Sequence, residues 1–266
     1  MCTGFVRRGK DVIVGFNMDI NVEALEYQVY AEPDKFYIGA DCKEIEAELT
    51  KIPGLSECYQ LENHVRKIHG INSNGNFGNQ LNNMDFHKAP FMVGTNVVSI
   101  DQIIDDYISG KISFDQIVSI AQEKEITQIP KGAVDIPSIA FHSIITDKAG
   151  RIMILEPGNG YSIIKEKYAV LSNFPILELP GDFSEDRFGY YGKDRYDTAM
   201  NMLRESTDDF DVKAALKILE SVKQVGRWGT RVSFVYSNNE NAVYYCLEGQ
   251  FNQIQKHSFK KDVSLT

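Results

Sequence analysis

The 266-residue sequence has no long apolar run. None approaches the roughly 18 residues that a membrane-spanning helix needs. The opening stretch "MCTGFVRRGKDV" also has no apolar segment of the kind a secretory signal requires. These two absences lead to the expectation of a cytoplasmic protein with no membrane partner. Basic residues are outnumbered, 28 Lys and Arg against 37 Asp and Glu, for a net charge of -9. A nucleic-acid surface needs a basic patch, so a nucleic-acid partner is not expected. Cysteine is scarce: Cys2, Cys42, Cys58 and Cys246, with no two at CxxC spacing. That argues against a zinc site. A Cys42–Cys58 disulfide is compatible with the count but unneeded in a chain this long, and free buried thiols are the ordinary cytoplasmic state. Repeats, low-complexity tracts and linkers are absent as well, so one domain is expected over 1–266, with a loose tail at "KKDVSLT".

What is present is a pattern of strands and paired helices. "CTGFVRR" and "DVIVGFN" flank a "GK" turn and read as a β-hairpin starting at residue 2; "KFYIGA" reads as a further strand. The Asn- and Gly-rich "HGINSNGNFGNQLNNMDF" reads as turns and a strand rim. "SIDQIIDDYISG" and "SFDQIVSIAQEKE" each begin with a capping Ser and carry apolar residues at helical spacing. Strands are expected at "SIAFHSIITD", "RIMILEPG" and "YSIIKEKYAVLSNFP", and helices at "GKDRYDTAMNMLRES" and "DVKAALKILESVKQV". "TRVSFVYSN", "AVYYCLEGQ" and "FNQIQKHSF" close the chain as strands. Neighbouring strands look like antiparallel hairpins rather than βαβ units, which makes the fold class α+β, a layered sandwich of two sheets covered by helix pairs.

Cys2 carries the first chemical signal. Methionine is normally removed when a small residue follows it. Removal would leave a thiol and a free α-amine on one residue. The amine, with a pKa near 7.7–8.0, can take the thiol proton and later return it to a leaving nitrogen. A cysteine behind the start site can equally be an accident, but this one begins an expected interior strand. Asp19 ends the partner strand in "GFNMDIN", where the hairpin returns it beside residue 2 and a carboxylate could orient an amine; strand-end Asp is also a common turn residue. Asn17 could simply face solvent. Asn82 and Asn83 in "QLNN", and Asn173 in "AVLSNFP", offer amide donors for an oxyanion, or ordinary turn residues. Arg187 and Arg195 in "SEDRFGYYGKDRYDTAM" offer a cation that would favour the thiolate, or surface partners for Asp186 and Asp194.

Taken in this order, the pieces resemble the choloylglycine hydrolase family of N-terminal nucleophile hydrolases, which includes bile salt hydrolases and penicillin V acylases. The stretches that carry the resemblance are "MCTGF", "GFNMDIN", "GINSNGNFGNQLNN", "FHSIITDKAGRIMILEP", "YAVLSNFP", "LPGDFSEDRF" and "YYCLEGQFNQI", which span nearly the whole chain. The resemblance implies a four-layer αββα sandwich with two antiparallel sheets between helix layers. It also implies hydrolysis of a linear carbon–nitrogen amide in a small N-acyl substrate, through a thioester and without a metal or organic cofactor. It casts Cys2 as nucleophile and base, Asp19 as the residue that orients its amine, and Asn82 and Asn173 as oxyanion and positioning residues. For the arginine, Arg195 is preferred for its first-turn helix position, with Arg187 as the alternative. Where family members usually carry Arg before the "NMD" motif, this chain has Phe16, which argues against bile salts. Phe16, Met18, Ile20 and Phe86 could line the site or pack the core. A homo-oligomer is compatible with the chain, but the short run from Asn173 to "LPGDF" does not favour the family's tetramer. An acyltransferase and a non-catalytic small-molecule binder on the same fold are the alternatives.

Overall fold

The computed structural model describes residues 2–21, 26–41, 65–83, 96–127, 141–177 and 191–260. Its first two strands, β1 (Cys2–Arg8) and β2 (Val12–Asp19), form the expected hairpin, with Cys2 opposite Met18. β2 is buried along almost its whole length, because it is covered on both faces and has strand neighbours on both sides. A strand in that position reads as the continuous apolar run VIVGF rather than as an alternating one.

Six strands make the first sheet. Besides β1 and β2 it contains β13 (Tyr168–Leu171), β14 (Thr230–Ser237), β15 (Ala242–Leu247) and β16 (Gln255–Ser258), in the order β13-β1-β2-β14-β15-β16. The second sheet has eight: β3 (Tyr27–Ala31), β4 (Lys35–Asp41), β5 (Val65–Asn72), β6 (Phe77–Asn79), β7 (Leu81–Asn82), β10 (Phe141–Thr146), β11 (Ile152–Glu156) and β12 (Gly160–Ile164). Its order is β12-β11-β10-β6-β5-β4-β3, with β7 pairing to β10. Every pair in both sheets is antiparallel. A small parallel pair joins β8 (Val97–Ser99) and β9 (Glu125–Thr127).

The apolar side chains fall into three clusters, and these define the layers. Phe16, Phe36, Phe77, Ile144 and Phe234 fill the space between the two sheets. Phe5, Ile13, Val170 and Val235 face out from the first sheet onto α3 (Lys193–Glu205) and α4 (Val212–Ser221). Ile145, Met153 and Leu155 face out from the second sheet onto α1 (Ile100–Ile108) and α2 (Phe114–Glu123). The result is a helix–sheet–sheet–helix stack, as expected. Ser99 caps α1, and Ser113 with Gln116 forms a reciprocal capping box on α2. Buried ion pairs Arg66–Asp101 and Lys67–Asp105 lock α1 to β5.

Two local expectations need correction, and two features were not expected. "YSIIKEKYAVLSNFP" is two strands in different sheets, β12 and β13, because the charged Lys165-Glu166-Lys167 run breaks the ladder and carries the chain across. β3 and the β8–β9 pair were not expected, since β3 is half-buried and shows no clear alternation. Asn17 does not face solvent: it is fully buried, and its Nδ2 donates to Leu219 O at 2.8 Å. Cys42, Cys58, Phe86, Arg187 and the "LPGDF" stretch lie outside the described residues.

Candidate active site

Strand alternation aims residue 2 and residue 3 in opposite directions. Cys2 joins the cluster between the sheets, while Phe5, on the same face as Thr3, packs toward α3. Cys2 is only 7% exposed. Its backbone nitrogen donates to Asn173 Oδ1 at 2.8 Å, and its carbonyl accepts from Arg195 Nη1 at 2.6 Å. The same Nη1 reaches Thr3 Oγ1 at 2.8 Å and Asp19 Oδ2 at 3.1 Å, and Arg195 Nη2 donates to Asn173 Oδ1 at 2.7 Å. Four of the five singled-out residues, Cys2, Asp19, Asn173 and Arg195, therefore converge through side chain or backbone. Asn82 enters through its backbone: its carbonyl accepts from Asn173 Nδ2 at 2.7 Å. Asn83 is buried, with Oδ1 unpartnered.

The orientation of the Asn173 amide follows from its partners. Two donors converge on one end, so that end is the oxygen; the other end gives one N–H to Asn82 O and keeps a second N–H free of this bond. Asp19 is held on its second oxygen by Thr230 Oγ1 at 2.6 Å. Thr230 sits where the β14–β2 register shifts, an irregularity of the kind that re-aims a side chain at a sheet end. Its hydroxyl accepts in turn from Gln224 N at 2.8 Å. Ser172 Oγ makes a longer contact, 3.4 Å, to Cys2 O. Thr3, Ser172 and Thr230 were not singled out from the sequence. Their residue types are generic, and Thr230 is distant in the chain, so no local spacing could flag them.

Two electrostatic points shape the chemistry. Burial pushes the Asp19 carboxyl up to about 6, against the pull of Arg195 and the Thr230 hydroxyl. Burial also pushes the Cys2 thiol up, by more than the Arg195 charge and the Asp19 backbone N–H draw it down. The Arg195 guanidinium does favour the thiolate, as expected of a cation there, but desolvation outweighs it. Phe16 and Met18 are core residues; Phe16 is fully buried between the His69 and Phe234 rings, with centroids at 4.4 and 5.5 Å. Ile20 is half-buried. Among the described residues no cluster of three or more His, Cys, Asp or Glu could hold a metal ion, and no helix is long and apolar enough to cross a membrane.

Arg195 can reach the cluster because of the residue that starts its helix. Gly192 caps α3 with φ +83°, and a Cβ there would collide with Ser172 Oγ and lie 2.5 Å from Arg195 Nη2. Gly192→Ala is expected to lose about 1–2 kcal/mol from the left-handed backbone alone, with the collision adding to it. A thermal melt should show Tm lowered by about 2–8 °C; an unchanged Tm would mean that the cap does not constrain Arg195.

The layer order and the sheet topology define the fold: this is a four-layer αββα sandwich. Conjugated bile acid hydrolase from Clostridium perfringens shares it. One mutant of that protein superposes with a TM-score of 0.64 at 15% identity, covering 96% of this chain and 92% of its own. A second variant gives 0.63 at 13% identity, covering 99% and 100%. Penicillin V acylase from Agrobacterium tumefaciens gives 0.51 at 13% identity, covering 92% and 83%. No protein-family model and no curated protein matches the chain by sequence.

Proposed function

We propose that this protein hydrolyses the linear amide bond of a small N-acyl substrate, with Cys2 as nucleophile and, once Met1 is removed, its own α-amine as base. The observation that carries the reading is the convergence of Asn173, Arg195 and Asp19 on residue 2, which fixes the nitrogen and carbonyl of the residue that also bears the thiol. Burial keeps that thiol protonated at rest, so a base must act on it. The α-amine takes the proton as sulfur attacks the carbonyl carbon. The free N–H of Asn173 and groups on the Asn82 segment stabilise the oxyanion. The ammonium returns its proton to the leaving nitrogen as the carbon–nitrogen bond breaks. Water then attacks the thioester, gives a proton to the same amine, and releases the acid and the thiol.

The structural neighbours are named for conjugated bile acids and penicillin V, so these head the substrate panel, followed by N-acyl homoserine lactones and other N-acyl amino acids. The test is intact mass spectrometry of the purified protein, alone and with each panel member. The expected result is loss of Met1 and an added acyl mass that disappears with time. Added acceptor amines separate hydrolysis from acyl transfer: free acid should remain the main product. A chain that keeps Met1 and forms no adduct with any member overturns the reading.

A pH dependence follows from Asp19. Orienting an ammonium requires the carboxylate, and Asp19 ionises near 6. kcat/KM is therefore expected to rise with pH through about 6. Asp19→Asn should remove that acid limb and lower the plateau about 10²-fold, the scale of a mispositioned catalytic group. The base's own limb near 8 should remain in Asp19→Asn, and a limb near 6 that survives there would be assigned to another group.

A further inference from the structure

His142 and Glu156 form a buried pair for which the proposed mechanism has no use. Both side chains are at most 1% exposed. His142 Nδ1 lies 3.1 Å from Glu156 Oε1, and Nε2 lies 2.6 Å from Ser172 O. Ser172 O can only accept. The Glu156 oxygens already accept backbone N–H groups, Oε1 from Ile176 at 2.7 Å and Oε2 from Leu177 at 2.9 Å, with Asn159 Nδ2 at 3.4 Å from Oε2. Nε2 therefore donates to Ser172 O, while Nδ1 faces the Glu156 carboxyl, so each end of the ring is engaged. Burial alone would raise the Glu156 carboxyl, but the His142 hydrogen bond and the Ile176 and Leu177 amides prevail and hold it below the usual range.

The backbone groups held this way all belong to one short segment. After Leu171 the chain leaves the β13 ladder, and residues 172–177 form no helix or strand. That segment carries Asn173. Three of its backbone groups, Ser172 O, Ile176 N and Leu177 N, are tied down by His142 and Glu156. His142 also sits on β10, where its neighbour Phe141 pairs with Asn82 and His142 itself pairs with Leu81. One residue thus links the strand that carries Asn82 to the loop that carries Asn173.

We propose that His142 and Glu156 are positioning residues that hold the Asn173 amide in register with Cys2 and Asn82. The inference rests on the amide hydrolase reading above. A displacement of about 1 Å in such a group costs about 10²-fold in rate. His142→Ala is therefore expected to lower kcat about 10²-fold, with KM within about threefold, on whichever of penicillin V, glycocholate or the N-acyl amino acids the wild type turns over. His142→Gln, whose amide N–H can still reach Ser172 O, should recover about tenfold of that loss. Alkylation of Cys2 by iodoacetamide, read on the N-terminal peptide, should stay within about twofold, since the thiol itself is untouched. Exchange of the Ile176 and Leu177 amides with solvent deuterium should quicken at least about tenfold.

Removing one partner of a buried pair can unfold a protein. If His142→Ala does not fold, His142→Gln/Glu156→Gln replaces the pair by neutral amides and is read the same way, with kcat at least about tenfold down. A folded variant with kcat within threefold of wild type, or with only KM changed, overturns this inference and leaves the hydrolase reading intact. Wild-type protein that turns over no panel member overturns the hydrolase reading, and this inference with it.

Discussion

Cys2→Ala is expected to abolish turnover, by at least about 10³-fold in kcat/KM, while leaving the fold in place. The side chain is small, and what its sulfur loses is a single weak bond from the Asp19 backbone N–H, so the melting curve should move little. What disappears is the sulfur that the proposed mechanism uses to form the acyl intermediate, and with it the two-step route around a difficult displacement. The remaining donors still polarise a bound carbonyl, which is why a small residual rate should survive. Cys2→Ser should fall nearly as far: the hydroxyl is a weaker nucleophile than the thiol, in a pocket where burial already holds the proton on. Intact mass should show the acyl adduct in the wild type and none in Cys2→Ala. A third chain separates sulfur from amine. An uncleavable extension before Cys2 keeps the thiol and a nitrogen that can still donate to Asn173, but an acylated nitrogen cannot accept a proton. It should fold and be inactive. Activity within tenfold of wild type in Cys2→Ala would move the chemistry elsewhere and leave a binding protein as the better reading.

How much of this could be read from the residues varies with how local the information is. The Cys2–Asp19 neighbourhood is a hairpin property: a turn at "GK" and two apolar strands return residue 19 beside residue 2, and the ladder places Cys2 opposite Met18. Capping by Ser99 and Ser113 is equally local. Asn173 and Arg195 lie 171 and 193 residues from Cys2 in the chain; no spacing rule brings them there, and only resemblance did. Thr230 had no such help, since a threonine at a strand start is among the commonest of patterns. "FHSIITDKAGRIMILEP" was legible as a strand–turn–strand unit, but the partnership of His142 with Ser172 depends on the chain crossing between sheets at Lys165-Glu166-Lys167, which the apolar pattern on either side conceals.

Arg195→Ala is the substitution expected to cost the fold most. Arg195 is 3% exposed and serves four acceptors, Cys2 O, Thr3 Oγ1, Asp19 Oδ2 and Asn173 Oδ1, from two nitrogens. Truncation leaves the Asp19 carboxylate buried without its cation, a defect that typically costs about 3–5 kcal/mol. Arg195→Lys keeps a charge but replaces a rigid planar fork by a single ammonium with three donors, too few for four acceptors in fixed directions; it should recover part of the stability and little of the activity. The pH dependence distinguishes this account from simple loss of packing. Asp19 already ionises near 6 in the folded wild type, above the unfolded value of about 3.9. A group raised on folding favours the fold below its unfolded pKa, and that contribution fades as pH rises through the folded one. Without the guanidinium the Asp19 pKa should rise further, so the penalty on Arg195→Ala should be largest at pH 8 and shrink toward pH 4, where a protonated Asp19 needs no cation. Urea unfolding of wild type and variant at pH 4.5 and 8 measures the difference. An equal loss at both would mean that Arg195 contributes through packing alone, and that the ion pair at the end of β2 does not set the charge of the site.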